Sequence, residues 1–365
     1  MNNKLKVAEM FAGAGGLALG LEKAGWESVC CLEIVPDACA TLRKNKPNWN
    51  IIQEDITKFV SEFSNYNLPE IDLLSGGFPC QSFSFAGKKA GFQDERGKVF
   101  HEFVKLLELW KPKAFLVENV RGLLIHKDGK TFKEIIKTLK SKNYQVKWKL
   151  LNAWNYGVAQ KRERVFIIGF RKDISENINF SFPVPHAYKP VLKDILKNVP
   201  NSQGAKYPKK KKKILNLVPP GGCWRHLPPK IGKKYCGGSY HLEGGKTGIA
   251  RRISWNEPSL ALTTSPQQKQ TERCHPDETR PFTIREYARI QSFPDNWEFV
   301  GSLHSQYKQI GNAVPVNLAK EVGLMIKKAL IENKEISKKY ESKISTPFYQ
   351  SQRLEKAPER SLQSL

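Results

Sequence analysis

Over its first 182 residues the chain alternates short apolar, β-branched runs with stretches whose apolar positions recur three and four apart. Lys6–Phe11, Glu27–Ile34, Asn50–Gln53, Ile71–Ser75, Ala114–Val117, Gln145–Leu151 and Val165–Phe170 read as strands. Between them, Leu17–Ala24, Pro36–Lys44, Lys98–Trp110 and Thr131–Ser141 read as helices, because each gathers its apolar side chains on one face. Such alternation predicts an α/β fold with a doubly wound, mostly parallel sheet covered on both faces. The character changes near Phe182-Pro183-Val184-Pro185. From there to about Arg280 the chain is rich in Pro, Gly and Lys and only weakly periodic, as expected of a second, smaller, loop-rich domain. Helical pattern returns at Thr283–Gln291 and Pro315–Glu332. The expected organisation is a main domain from 1–182 plus 300–332, a smaller domain over 183–299, and a flexible polar tail over 333–365.

Charge narrows the function classes. Of 365 residues, 60 are Lys or Arg against 35 acidic, a formal net charge of +25. That surplus favours a polyanionic partner, because each neutralised phosphate releases condensed counterions. No apolar run approaches the roughly 20 residues of a spanning helix, and Met1-Asn2-Asn3-Lys4-Leu5-Lys6 lacks a signal-peptide apolar core. The seven cysteines form no CxxC pair and no secreted disulfide spacing, as in a reduced, cytosolic chain. Cys223, His226, Cys236 and His241 have metal-binding residue types, but not the spacing of a zinc site, so no metal is expected.

Candidate chemistry gathers where strands end. Gly76-Gly77-Phe78-Pro79-Cys80-Gln81-Ser82-Phe83-Ser84 follows a strand directly and puts a thiol in a tight loop. A cysteine is a nucleophile only as thiolate, so such a loop would have to present it to a positive or hydrogen-bonding environment. Phe11-Ala12-Gly13-Ala14-Gly15-Gly16-Leu17-Ala18 satisfies a GxGxxG/A opening between strand and helix, and Glu33 ends the next strand about twenty residues on. Together they suit an adenosine cofactor, and by pattern alone NAD or FAD as well. Asp55 follows the third strand, placed for an adenine amino group. Glu118 leaves another buried strand, where an acid needs a partner or a role. Arg162 and Arg164 alternate along an extended segment and suit an anion. A plain βα turn, a capping glutamate and a solvated charge run are the structural alternatives for the same residues.

In this order the segments resemble the DNA cytosine-5 methyltransferase family of prokaryotic restriction–modification type. The matching pieces are FAGAGG at Phe11–Gly16, Glu33, Asp55, GGFPCQSFS at Gly76–Ser84, ENV at Glu118–Val120, QKRERVFIIG at Gln160–Gly169, REYARIQSFP at Arg285–Pro294 and QIGNAVPVNLA at Gln309–Ala319. They cover about 5–182 and 280–330.

The resemblance implies a Rossmann-like catalytic domain that binds S-adenosyl-L-methionine, with a target-recognition domain inserted. Phe11, Gly13, Gly16 and Leu17 would line the methionine and ribose part. Glu33 would take the ribose hydroxyls, Asp55 and Ile56 the adenine, and Pro79, Asn312 and Val314 would complete the pocket. Ile34 stands where many relatives carry an aromatic that stacks on adenine. Cys80 would attack carbon 6 of cytosine, Glu118 would hydrogen-bond ring nitrogen 3, and Arg162 would support the base carbonyl or Glu118. Arg164 would stiffen that arrangement or touch phosphate. Ser82–Arg96 would be a mobile loop closing over an everted base.

Duplex DNA is the expected partner. Gln81, Ser82, Arg96, Trp224, Arg225, Arg251, Arg252, Gln267, Gln268 and Arg273 are candidate contacts, and Lys209–Lys213 either tracks phosphates or is a solvated loop. Arg285, Glu286 and Arg289 are expected to stabilise the recognition domain. A monomeric, cytoplasmic, nucleoid-associated enzyme paired with a restriction endonuclease is the expected context. Rival expectations are an RNA cytosine methyltransferase, a non-catalytic DNA-binding regulator and, least of all, an NAD-dependent oxidoreductase.

Overall fold

The computed structural model describes residues 4–78, 95–176, 178–241 and 247–344, with side chains at 95–97 and 334–344 excepted. Seven strands form the main sheet: β1 (Lys6–Met10), β2 (Glu27–Glu33), β3 (Ile51–Gln53), β4 (Leu73–Gly76), β5 (Ala114–Val120), β6 (Tyr144–Asn152) and β8 (Glu163–Arg171). Their order is β3-β2-β1-β4-β5-β8-β6, with β8 antiparallel to both neighbours. A two-residue strand β7 (Gln160–Lys161) pairs in parallel with β9 (Ser259–Leu260), stitching the sheet's end to the second region.

Helices cover both faces. On one, α1 (Gly16–Lys23) packs with α12 (Val316–Ile344), burying Leu17, Leu21, Leu318, Val322 and Ile326. The Trp26 indole donates to the Gly323 carbonyl at 3.0 Å, and Lys327 to that of Gly25 at 2.8 Å, so the C-terminal helix is locked into the domain that the N-terminus begins. On the other face lie α3 (Ile56–Ser61), α4 (Glu95–Trp110) and α5 (Lys130–Ser141), with Phe59, Phe100, Phe103, Leu107, Ile135 and Leu139 inside. Each fully buried side chain of this size contributes about 1.5–3 kcal/mol. Next to β2, α2 (Pro36–Asn45) begins with proline in its first turn, where no amide hydrogen is needed.

The second region carries its own small core of Tyr207, Leu215, Val218, Leu227, Ile249, Ala250 and Cys274, around the short helices α8 (Lys209–Leu215) and α9 (Pro229–Cys236). Preceding them are two one-turn helices, α6 (Lys172–Ser175) and α7 (Leu192–Ile195).

Two boundaries differ from the sequence pattern. Helix α10 (Ile284–Ile290), together with Phe293, Trp297 and Phe299, packs in one cluster with Ala12, Ala14, Leu19 and Leu42, beside the glycine-rich loop. Leu192, Leu196, Ile253 and Leu262 join the same cluster, so residues 284–299 pack against both regions, across the boundary that the sequence pattern places at 300. Helix α12 runs on to Ile344, past the expected start of the tail at 333, because the Lys and Glu residues that make 331–344 polar are also good helix formers.

Candidate active site

Parallel pairing brings four strand exits to one end of the sheet. Met10 is level with Leu32 and with Gly76, and Gly76 with Val117. Phe11, Glu33, Gly77 and Glu118 therefore emerge side by side. Antiparallel β8 starts at that same end, with Val120 opposite Arg164. This is the edge where open α/β sheets place their ligands.

The first loop is built as a cradle. Phe11 has φ 59°, a left-handed conformation uncommon outside glycine, and Gly13 and Gly15 follow at 55° and 85°. At Gly16 a Cβ would stand 2.3 Å from the Val314 carbonyl oxygen, so only glycine allows the helix start and the loop before α12 to meet. The Glu33 carboxylate latches this cradle. One oxygen accepts the Gly13 N–H at 2.7 Å, and the other accepts those of Ile34 and Val35 at 3.0 and 2.8 Å. The oxygen that accepts from Gly13 keeps a second lone pair for a ligand hydroxyl.

Asp55 caps α3, accepting the Thr57 N–H at 2.7 Å, yet stays exposed, while Ile56 is buried behind it. Ile34 is 56% exposed beside Glu33, an apolar surface open to a flat ring. Asn312 ends α11 (Leu303–Asn312) in the open. Leu17 and Val314 instead turn into the core with α12, so what they present at the cradle is backbone.

Sequence reasoning missed Glu9, the acid inside apolar β1. It is 3% exposed, and one carboxylate oxygen has no hydrogen-bond partner among the described residues. Burial raises its proton affinity well above the ordinary range, and nearby Glu33 and Glu118 add to the effect. An unpartnered buried oxygen next to a left-handed backbone turn fits a ligand that carries an ammonium group and a ribose. The residues present therefore suit S-adenosylmethionine.

At β5, Glu118 forms an ion pair with Arg164, guanidinium nitrogen to carboxylate oxygen 2.8 Å. Both side chains are nearly buried. Gly77 lies against the other carboxylate oxygen, where a Cβ would stand 2.9 Å away. The Asn119 amide donates to the Phe78 carbonyl at 3.1 Å, tying β5 to the last described residue before Pro79 and Cys80. Phe78 itself is anchored in the core against Phe100, ring centroids 5.3 Å apart. Burial raises the Glu118 pKa, and Arg164 and then Arg162 pull it partly back. A carboxyl so placed can hold a proton and donate it to a ring nitrogen.

The two arginines divide their work differently from the expectation. Arg164 contacts Glu118. Arg162 points away into the interior, 2% exposed, and donates to the carbonyls of Leu262 (3.0 Å), Gly311 (2.7 Å) and Asn312 (3.5 Å). Alternation put the pair on one face of an extended segment, but β7 ends and β8 begins around Arg162, and the break separates the side chains. Gln160 and Gln291, also missed, complete this junction. The Gln160 amide donates to the Gln291 side-chain oxygen (2.9 Å), and its oxygen accepts the Leu262 N–H (2.9 Å). Gln291 donates to the Ile310 carbonyl at 2.7 Å.

The candidate DNA contacts separate by burial. Arg225, Gln267 and Gln268 are exposed, and Arg225 lies over the half-buried Trp224 ring at 5.6 Å. Arg252 and Arg273 are 4% and 5% exposed and bind the carbonyls of Leu215 and Ala261, each at 3.0 Å. Arg251 is held by Glu257 and by the Gly221 carbonyl. These three arginines are structural, because a loop-rich fold leaves carbonyls unpaired and a guanidinium satisfies several at once. Lys209–Lys213 is helical, and Lys211 turns inward to Glu272 at 2.8 Å. As expected, Arg285 serves structure, donating to the Trp297 carbonyl at 2.9 Å. Pro79, Cys80, Gln81 and Ser82 lie outside the described residues, as does most of the expected closing loop; Arg96 is placed only as backbone in α4.

Comparison with known proteins agrees with this geometry. A family model for C-5 cytosine-specific DNA methylases matches residues 5–328. The chain is 57% identical over 324 residues to the Type II methyltransferase M.Sau96I of Staphylococcus aureus, covering 88% of this chain and 75% of that protein. It is 53% identical over 330 residues to M.Eco47II of Escherichia coli, covering 88% and 78%. Among solved structures, a prophage-encoded E. coli chain described as a DNA modification methyltransferase superposes with a TM-score of 0.67 at 25% identity, over 90% of this chain and 100% of that one. With the family model spanning nearly the whole sheet and its C-terminal helix, the chain belongs to the C-5 cytosine-specific DNA methylase family and is a DNA cytosine-5 methyltransferase.

Proposed function

We propose that the protein methylates carbon 5 of one cytosine in a short duplex DNA site, everting the base and using Cys80 as a covalent nucleophile. The observation that carries this reading is the Glu118–Arg164 pair at the strand exits, with Gly77, two positions before Pro79 in the sequence, against the Glu118 carboxylate. S-adenosylmethionine, when bound, supplies the methyl group that carbon 5 accepts. Phe11, Gly13, Glu33 and Glu9 hold its amino-acid and ribose parts; Ile34, Asp55 and Ile56 hold the adenine.

Cytosine carbon 5 is a poor nucleophile, so the ring is first made electron-rich. The Cys80 thiolate adds to carbon 6, and the electron pair pushed into the ring is met by the proton Glu118 offers to nitrogen 3. Arg164 fixes Glu118 and stabilises the developing charge. After methylation the proton on carbon 5 is removed, the 5,6 double bond re-forms and the thiolate leaves. None of this can occur inside a base-paired stack, so the nucleotide swings out at a cost of a few kcal/mol.

The Type II naming of its relatives supports a role in protecting DNA from a cognate endonuclease, and we propose a cytoplasmic monomer. Bisulfite sequencing of plasmid DNA from expressing cells should show one methylated motif, and an unmodified plasmid would overturn the reading. Duplex DNA carrying 5-fluorocytosine should trap a covalent adduct with the wild type and none with Cys80→Ser. Equal trapping by both would remove Cys80 from its role.

A further inference from the structure

Beside the Glu118–Arg164 pair lies a second concavity of about 490 Å3, lined by Val120, Arg121, Asn152, Lys161, Arg164 and Ala261 among others. It opens at the catalytic end of the sheet: Val120 ends β5, Asn152 ends β6, and Arg164 lies at the start of antiparallel β8. It also sits on the seam between the two regions, because Lys161 is level with Leu260 in the β7–β9 ladder and Ala261 follows directly.

Its charges are not equivalent. Arg164 is held by Glu118, and Arg121 by Glu163 at 2.7 Å. Lys161, which lines the hollow, and Lys189, which shares the Trp154 ring with it, are differently placed. The Trp154 ring is flanked by Lys161 at 5.0 Å and Lys189 at 5.3 Å, and neither lysine has a carboxylate partner among the described residues. The ring is itself fixed: its indole N–H donates to the Pro190 carbonyl at 2.9 Å, and its backbone N–H donates to Asn152 at 3.1 Å. A ring held in place between two ammonium groups orders them without neutralising them. Two exposed cations on a rigid platform, at the lip of a polar hollow, suit an extended polyanion better than an isolated ion.

We propose that Trp154, Lys161 and Lys189 form a clamp for the phosphodiester backbone of duplex DNA beside the everted nucleotide. The clamp rests on the DNA methyltransferase reading above. It positions DNA across the seam and reads no base.

The test is DNA affinity of the full-length enzyme as a function of salt, with a duplex containing the methylated motif. Each lost phosphate contact should make the slope of log affinity against log salt shallower by about 0.9. Lys161→Gln/Lys189→Gln should lower that slope by about 1.8, raise KM for DNA rather than lower kcat, and leave the methylated motif unchanged. Lys161→Arg/Lys189→Arg should keep the wild-type slope, which separates charge from folding. An unaltered slope in the glutamine variant would overturn the clamp while leaving the methyltransferase reading intact. Wild-type enzyme that neither binds nor methylates duplex DNA would sink both. A lost slope in the arginine variant as well would mean that packing, not phosphate contact, is the lysines' task, and would overturn the clamp.

Discussion

Glu118 is held between opposing influences. Burial disfavours its charge and raises its pKa, while Arg164 at 2.8 Å favours the charge. Burial wins, so the folded protein keeps this proton to higher pH than the unfolded chain does. The linked stabilisation is present at low pH and is lost as pH rises through the folded-state value. Activity inherits the same sign. With protonated Glu118 as donor to nitrogen 3, kcat/KM should fall on the alkaline side of a pKa above the ordinary carboxylate range. Arg164→Met removes the influence that lowers the pKa, so that alkaline limb should move to higher pH while kcat drops by about 100-fold or more. A pH–rate profile with the limb unmoved would assign it to some other group.

At the scale of elements, the junction around Arg162 joins three pieces of chain distant in sequence: the start of β8, the strip after β9, and the end of α11. Because β9 lies within the inserted region and α11 ends beside the proposed cofactor cradle, Arg162 is a positioning residue. Arg162→Met would leave buried carbonyls of Leu262 and Gly311 without their donor, at a cost of about 1–3 kcal/mol for each. Arg162→Lys offers one ammonium where a fork served two or more acceptors, so it should recover only part of that loss. Chemical denaturation measures both, and full recovery by lysine would refute the fork argument. The extended segment Gln160–Arg164 suggests a functional cluster from sequence; which arginine meets the acid depends on the break between β7 and β8.

For the whole molecule, a net charge of +25 predicts a DNA affinity that depends steeply on salt. Raising salt from about 50 to 200 mM should weaken binding by at least about 100-fold if several phosphates are contacted. KM for S-adenosylmethionine, set by short-range contacts in the cradle, should change little. A shallow dependence, read by fluorescence anisotropy with labelled duplex, would show that the charge lies away from the DNA. Three arginines expected on the DNA are held by carbonyls and Glu257 within the second region, so the exposed cations left for the proposed contact are residues such as Arg225, Lys209 and Lys212 and the lysines at Trp154.

The sequence by itself determined the sheet, its helices, the glycine-rich cradle and the acids at the strand ends. Those features follow from local periodicity and from side chains within a few residues of one another, as with Gly13, Gly16 and Glu33. It also determined the family, since the motifs from Phe11 to Ala319 are ordered and long. Tertiary structure alone decided what distant packing controls. It put Arg164 rather than Arg162 on Glu118, buried Arg252 and Arg273, packed 284–299 against both regions, and left one Glu9 oxygen beside the cradle without a partner among the described residues. An arginine has the same composition whether it faces phosphate or a stranded carbonyl; only the chain folded around it determines which.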